Sequence, residues 1–514
     1  GVSTDPGGQF PGEGAAPAVE PGADAGSETE MVVGGPAAAG PPTAEAAPPP
    51  PAADSAAPSP SADFSPAPVA AVTSGAAPGS DTTRAVAVLL LAGLCAYHNS
   101  FTGVFVMDDI SAIHDNPDIR SVVGDSVWSW IVRPVLYRSL AVNYWLGGLN
   151  VRGYHAVNLA IHLLAAGTLF GLLRQTLRLP RFRGRYHDSA TGLAGVAALL
   201  WLVHPLNTQS VTYIVQRAES MMGLFYLLVL YCLVRGASSS HPTRWYVAAI
   251  TSSALGMGCK QVMVTAPLTA LLYDRTFLTG SLGKSLRARW PVYLSLALTW
   301  LVLVPELVYT DPARAGAGFR FQSITPLAYA LAQPGVILHY LRLSFWPVGL
   351  CLDYNDWPGV SHWFDAWPEL AAIAVLVLAA LVALARGSGF GFLGTAFFLI
   401  LAPTSSIMPI ADLAFEHRMY LSLACLVVSV VLAADAGLRR LQAWWRWSDG
   451  QRDLVGATMV AAVALVLTVL TIERNEVYGS EWGMYRDVLA KRPNNARAYA
   501  VLGRLAFAAV GEAG

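Results

Sequence analysis

The sequence predicts an all-α, polytopic membrane protein of about eleven transmembrane helices, followed by the start of a helical repeat. Three observations carry the prediction. The chain is 54% hydrophobic and only 13% charged, with a mean hydropathy of +0.46, far from the balance of a soluble globular domain. Apolar runs of about 20 residues, the length that crosses a hydrocarbon core, recur between residues 85 and 472. Lys and Arg are concentrated in a few of the loops between those runs, as membrane topology requires. A net charge of −1 and a pI of about 6.9 leave no global electrostatic case for nucleic acid as a partner.

Residues 1–83 stand apart. Pro, Ala, Gly and Ser dominate, ten acidic residues occur, and the first basic residue is Arg84. Such a stretch buries too little apolar surface to offset its chain entropy, so a disordered acidic tail is expected. No basic n-region with an apolar h-region precedes it, so its export is not expected. A start at Gly1 and an end at Gly514 predict a longer gene product.

Residues 84–472 form the membrane domain, with spans expected near 85–106, 154–174, 190–206, 219–235, 244–260, 262–279, 290–308, 369–386, 389–405, 418–436 and 453–472. A further apolar stretch, 327–350, carries His339 and Arg342 and stops at Trp346-Pro347. Charge is costly at the bilayer centre, so this stretch reads as a helix lying in the interface. The loops 174–189, 235–244, 274–289, 386–388 and 437–452 hold five, two, four, one and four Lys/Arg, 16 of the chain's 33. With eleven spans all five loops fall on one side, which the positive-inside rule makes cytoplasmic, together with the tail. The C-terminus then lies outside. The five cysteines, Cys95, Cys232, Cys259, Cys351 and Cys425, are scattered singly without metal-type spacing and read as packing residues.

The same topology gathers the polar segments on the outer face: Asp108-Asp109, HPLNTQS (204–210), QRAES (216–220), Cys259-Lys260-Gln261, PARAGAGFR (312–320), LDYNDWP (352–358) and PTSSIMPIADLAFEHR (403–418). A pore would carry polarity through its spans; polarity at one level predicts a site at one membrane surface. Asp108 and Asp109 close the first span, where low dielectric and mutual repulsion raise one carboxyl's pKa and suit it to act as a general base; a solvated loop or a helix cap is the plainer reading. A metal site from Asp108, Asp109 and His114 is a further reading, although its spacing is not diagnostic. The cations Arg133, Arg138, Arg217, Lys260, Arg314, Arg320, Arg342 and Arg418 lie on or near the outer surface, against the positive-inside trend. They read either as headgroup contacts or as ligands of a phosphate, with Arg217, Lys260, Arg342 and Arg418 the candidates for a donor phosphate. His155, Asn158 and His162 form a polar stripe expected to hydrogen-bond inside the core. The aromatic residues of 340–367 fit an interfacial belt or a lipid or sugar groove. In residues 473–514, Trp482, Tyr485, Pro493, Ala498, Leu502 and Gly503 follow the spacing that opens a tetratricopeptide array.

Together FVMDDISAIHDNPDIR, residues 133–164, HPLNTQSVTYIVQRAES, GMGCKQVMVTAPLTALLYDR, LHYLRLSFWPVGLCLDY, FEHRMYLSLA and the repeat start resemble the transmembrane and tetratricopeptide-repeat-containing O-mannosyltransferases and their bacterial relatives, over about 85–514. The resemblance implies a GT-C glycosyltransferase: a multispan domain that takes sugar from a polyprenyl-phosphate donor on the outer or lumenal face and needs no cofactor or metal. It implies that Asp108-Asp109 supplies the catalytic carboxylate, that a Ser or Thr hydroxyl of an exported polypeptide is the acceptor, and that the repeats present that polypeptide. His114, His204, Glu219 and Glu416 would then stand on the acceptor side. Composition favours a bacterial inner membrane with the site and C-terminus periplasmic. Two departures bear on this: Asn207 and Gln209 stand where relatives often have His or Gln and Glu, and Gln261 where they often have Glu. The alternatives are transfer to a lipid or glycan, and a non-catalytic anchor that displays repeats in a larger assembly.

Overall fold

The computed structural model describes residues 80–123, 128–309, 318 and 324–513. The described residues lie in one compact unit, Val69–Gly514. Nearly all of the expected tail, and Arg314 and Arg320, lie outside the described residues.

Every regular element among the described residues is helical. The principal helices are α1 Ser80–Ala96, α2 Pro134–Gly147, α3 Val151–Leu177, α4 Ala190–Leu202, α5 Arg217–Ala237, α6 Pro242–Met257, α7 Ala266–Tyr273, α8 Leu282–Leu298, α9 Pro326–Phe345, α10 Trp367–Ala385, α11 Gly389–Leu401, α12 Ser422–Trp445, α13 Asp449–Glu476, α14 Glu481–Lys491 and α15 Ala496–Ala513. Their starts follow local rules. Proline opens α2, α6, α9 and α10 in the first turn, where no amide donor is missed. Ser448 and Gln451 close a reciprocal capping box on α13, and Asn150 caps α3 through the Arg152 amide.

Seven helical stretches among the described residues are long and apolar enough to cross a membrane, and up to eight if Ala190–Leu202 and Pro205–Val211, bent by 56°, make one span. The chain is therefore a multi-pass membrane protein. The expected count of eleven is not reached on length and composition. The stretches that fall short have physical causes: α4 breaks at His204-Pro205 after 13 residues, α6 stops at Gly258 after 16, α7 runs for eight before a π-wound continuation over Asp274–Thr279, and α11 is 13 residues long. Hydropathy read along the chain joins these pieces into full-length runs. α9 is not among the spanning stretches.

Hydrogen bonds nevertheless sort the connecting segments into two poles. At one, Arg181 donates to the Gly387 carbonyl, Arg275 to the carbonyls of Leu384 (2.7 Å) and Ala385 (3.1 Å), Arg439 to Ser189 Oγ (3.4 Å) and Arg289 to Tyr246 Oη (3.0 Å). All five basic loops or their flanks thus meet. At the other pole Gln209 donates to the Leu352 carbonyl (3.0 Å), Lys260 pairs with Glu219, and Arg418 holds residues 404–413.

The interior is tight where small residues face aromatic rings. A Cβ on Gly223 would meet the Tyr420 ring at 2.7 Å, and one on Gly171 the Tyr231 ring at 3.1 Å. His162 is the hub: its ring nitrogens bond Tyr420 Oη (2.8 Å) and the Leu202 carbonyl (2.9 Å), while Trp201 Nε1 donates to the Tyr420 carbonyl (2.9 Å). His155 bonds the Gly103 carbonyl at 3.2 Å and Asn158 donates to Val211 and Ile214, so the polar stripe of α3 lies inside the core. α10 and α13, by contrast, bury almost none of their apolar lengths against the protein, as lipid-facing helices do.

Candidate active site

The segment after α1 turns on one residue. Met107 has φ 48°, in the left-handed region that a side chain with a Cβ seldom enters, and this corner sends the two following carboxylates in opposite directions. Asp109 goes in. It is fully buried, its Oδ1 accepting from the Val215 amide (2.7 Å) and its Oδ2 from the Val106 amide (3.2 Å). It therefore ties the loop to the segment that leads into α5. Burial pushes its carboxyl up to about 8, against the pull of those amides, which favour the ionised form. Asp108 goes out and is exposed, with its amide donating to Tyr213 Oη at 2.9 Å.

The opposite wall starts at Arg133, also left-handed (φ 45°), at the corner before Pro134. The next two amides, Val135 and Leu136, donate to the Gly258 carbonyl at 3.0 and 3.4 Å. This seats the corner beside Cys259-Lys260-Gln261; a Cβ on Gly258 would meet Val135 Cγ2 at 2.6 Å, so the close approach requires glycine. Arg133, Asp108, Glu306 and Asp118 all lie close enough to Tyr137 of α2 to act on its hydroxyl, which burial, the larger effect, pushes above its ordinary value. Gln261 Nε2 donates to Glu306 Oε1 at 2.6 Å, and Lys260 Nζ pairs with Glu219 Oε1 at 2.8 Å, both side chains nearly buried. Lys260 also feels the charges of Arg133 and Arg418. His417 accepts that surrounding charge by staying neutral: burial first, then Lys260, Arg418 and Arg133, hold its imidazole well below its ordinary value. Its amide donates to Gln209 Oε1 at 2.7 Å.

The structure gives several of the expected site residues other work. Arg217 is fully buried and spends Nε on Asn158 Oδ1 (2.5 Å), Nη1 on the Ser139 carbonyl (3.2 Å) and Nη2 on the Tyr154 carbonyl (3.0 Å). Each of its three guanidinium nitrogens thus already donates within the protein. Arg418 directs Nη1 and Nη2 to the carbonyls of Thr404 (3.1 Å), Leu413 (2.9 Å) and Asp412 (2.6 Å), which makes it a staple for residues 404–413. Arg342 is exposed beside His339, which also feels Arg492. On the acceptor side, His114 is exposed and bonded to Asp115 at 2.7 Å. His204 is buried at the α4 break, accepting from the Leu206 amide (3.2 Å) and bonding the Ser344 carbonyl (3.1 Å). Glu219 is the partner of Lys260. Glu416 is buried, accepting from Tyr354 Oη (2.6 Å) and the Cys351 amide (2.5 Å); burial pushes it up and Arg474 opposes this.

Tyr137, Tyr213 and Glu306 were not singled out by the sequence. Glu306 alone carried a signal, as the one carboxylate within the apolar stretch 290–308. Among the described residues no three His, Cys, Asp or Glu side chains converge as metal ligands.

α14 and α15 pack as a helical hairpin and are latched to this pole. Arg497 pairs with Asp353 (3.2 Å) and Asp412 (2.7 Å), Arg492 with Asp356 (2.5 Å), and Lys491 Nζ donates to the Leu350 carbonyl (2.7 Å). The segment they grip, 350–356, is the one that supplies the partners of Gln209 and Glu416.

Residues 182–309, a quarter of the chain, match the family model described as dolichyl-phosphate-mannose-protein mannosyltransferase. The chain is 24% identical to protein O-mannosyl-transferase TMTC1 of Homo sapiens over 81% of this chain and 52% of that protein. It is 23% identical to protein O-mannosyl-transferase TMTC3 of Mus musculus over 80% of this chain and 47% of that protein, and 30% identical to TMTC1 of Mus musculus over 37% and 22%. The family resemblance carried by the motifs is thus the one that these relatives return. The chain spans about half the length, or less, of the relatives it matches. Among solved structures, the crystal structure of ArnT from Cupriavidus metallidurans bound to undecaprenyl phosphate superposes loosely, with a TM-score of 0.37 and 14% identity over 79% of this chain and 76% of that one.

Proposed function

We propose that the chain is a GT-C-type glycosyltransferase that moves a sugar from a polyprenyl-phosphate donor to a Ser or Thr hydroxyl of an exported polypeptide, at the pole opposite the basic loops. Mannose, named in the matching family model, is the first sugar to try. The observation that carries the reading is the division of labour at the first loop: one carboxylate is buried as an anchor and its neighbour is exposed, sharing Tyr137 with Arg133, which in turn acts on Lys260.

In this reading Asp108 accepts the proton of the acceptor hydroxyl as that oxygen bonds to the anomeric carbon. The bond from the anomeric carbon to the donor's phosphate oxygen breaks in the same step, and the lipid phosphate leaves with that electron pair. Arg133 and Lys260 stabilise the charge that develops on it. Asp109 acts as a positioning residue, because its two amide bonds fix where Asp108 can stand. Arg217 and Arg418 support the walls and do not touch donor. The positive-inside rule puts the basic pole in the cytoplasm, which agrees with a periplasmic site in a bacterial inner membrane.

The test is glycopeptide mass spectrometry of exported proteins from cells carrying the wild-type gene, a deletion, Asp108→Asn or Asp109→Asn. Loss of specific Ser/Thr glycopeptides in the deletion and Asp108→Asn strains, by roughly 10²-fold or more with the protein still at wild-type level, is expected for a general base. Glycopeptides unchanged in the folded Asp108→Asn variant overturn the reading. Loss of a lipid-linked or polymeric glycan instead would move the acceptor to that class.

A further inference from the structure

Away from the candidate active site, α3, α5, α7, α11 and α12 border a cavity of about 160 Å³, a size at which a space lined by hydrocarbon stays dry. Its wall is almost entirely hydrocarbon. The hydroxyls inside it, away from the Tyr186 rim, are already paired: Thr176 Oγ1 with Tyr273 Oη (2.6 Å), and Tyr226 Oη with Thr269 Oγ1 (2.6 Å). The lining therefore asks nothing of a polar ligand, and an apolar space inside a membrane-embedded bundle takes hydrocarbon rather than water.

The cavity has a direction. Toward the active-site pole its wall is closed by Leu421, Ala424 and Ile400, each no more than 4% exposed. Toward the basic pole it is bordered by half-buried Phe182 and Tyr186 and by Phe390, 50% exposed. That rim belongs to the two loops that Arg181 ties together, and it carries Arg183 and Arg185, both exposed, with the Arg185 guanidinium 5.3 Å from the centre of the Tyr186 ring. Asp188, exposed and bonded to His187, is the carboxylate of loop 174–189; buried Asp274 and half-buried Asp435 of the adjoining elements are paired with Arg289 and Arg439.

We infer that this cavity is a specific site for one acyl chain of an anionic phospholipid from the leaflet at the basic pole, with the headgroup phosphate held by Arg183 and Arg185 at the rim. Apolar walls, closure toward the active site and cations at the open end together fit a lipid entering from that leaflet. A donor whose phosphate sits beside Lys260, at the other pole, would have to enter through the closed end. The site is thus separate from the donor site, and its occupant is a structural or regulatory lipid.

The experiment is native mass spectrometry of the full chain, delipidated in detergent and titrated with phosphatidylglycerol or phosphatidylcholine of identical acyl chains, followed by crosslinking with a photoreactive acyl chain. One phosphatidylglycerol per chain is expected, bound at least ~10-fold more tightly than phosphatidylcholine, with crosslinks on residues 169–177 and 424–432. Ala396→Phe, which puts a ring into the cavity, is expected to abolish it. Arg183→Glu with Arg185→Glu is expected to remove the headgroup preference without filling the cavity, and covers the case in which the first variant fails to fold. Equal binding of the two lipids by the wild type, crosslinks on other helices, retention of the lipid by folded Ala396→Phe, an unchanged headgroup preference in the double arginine variant, or capture of a polyprenyl phosphate in place of a phospholipid would each overturn the inference.

Discussion

Asp109 exposes a measurable consequence of the first-loop geometry. Its folded-state pKa, pushed up to about 8 by burial, lies above the ~3.9 of an unfolded Asp. A group raised in this way contributes stability that is fully present below the unfolded value and is lost as pH rises through the folded one. The melting temperature in detergent should therefore fall between about pH 4 and pH 8, with this one group contributing a slope of roughly 1.4 kcal/mol per pH unit inside that window, and flatten above it. Asp109→Asn cannot ionise and should be less pH-sensitive over the same range. Equal slopes for wild type and variant would show that the carboxylate ionises freely. At this scale the sequence made the pair legible but not its division, because that rests on the left-handed Met107, and methionine carries no preference for that conformation. Nor did it show the intramolecular bonds of Arg217 and Arg418, because a cation beside an expected outer face looks the same in sequence whether or not carbonyls already surround it.

Among the elements, the C-terminal hairpin α14–α15 buries Met484, Tyr485, Val488 and Ala498 and is tied to the active-site pole through charged side chains as well. Arg497 bridges Asp353, which is fully buried, and Asp412, which belongs to the segment that Arg418 staples. Arg497→Ala leaves Asp353 buried without its cation. Breaking a buried pair costs ~3–5 kcal/mol, but Arg497 is itself about one-third exposed, so roughly 1–2 kcal/mol is the reasonable expectation. The variant should release the hairpin to limited proteolysis before the membrane domain melts and should lower transfer through residues 350–356. Adding Asp353→Asn should restore most of the loss. A double variant no better than the single one would place the cost elsewhere. Helix positions were well legible in the sequence, since every expected span finds helical residues at its place. Their breaks were not, because the apolar signal continues through Pro205 and through the π-turn after Tyr273 while the backbone direction changes.

For the whole molecule, eleven expected crossings stand against seven or eight stretches among the described residues that are long enough to make them, and the two poles supply the argument. α11 is decisive. If Gly389–Leu401 did not run between the poles, α10 would bring the chain to the basic pole, α12 would start there, and residues 437–452 would end up opposite the other basic loops. Arg439, however, bonds Ser189 of loop 174–189, while Arg418, just before α12, bonds Thr404, just after α11. The chain therefore passes from one pole to the other within 13 residues, about 20 Å of helix. That is short of a ~30 Å hydrocarbon core, and α11 is shielded from lipid along one side by α10 and α12. Single-cysteine labelling in a cysteine-free background tests this directly with three exposed positions: Ser240→Cys and Gly450→Cys in basic loops, and Ser406→Cys just beyond α11. A membrane-impermeant maleimide added to intact cells or spheroplasts should label position 406 and spare 240 and 450 until the membrane is opened. Labelling of 406 and 450 from the same side would mean that α11 does not cross, and would place residues 403–418 on the wrong face for a site shared with Asp108.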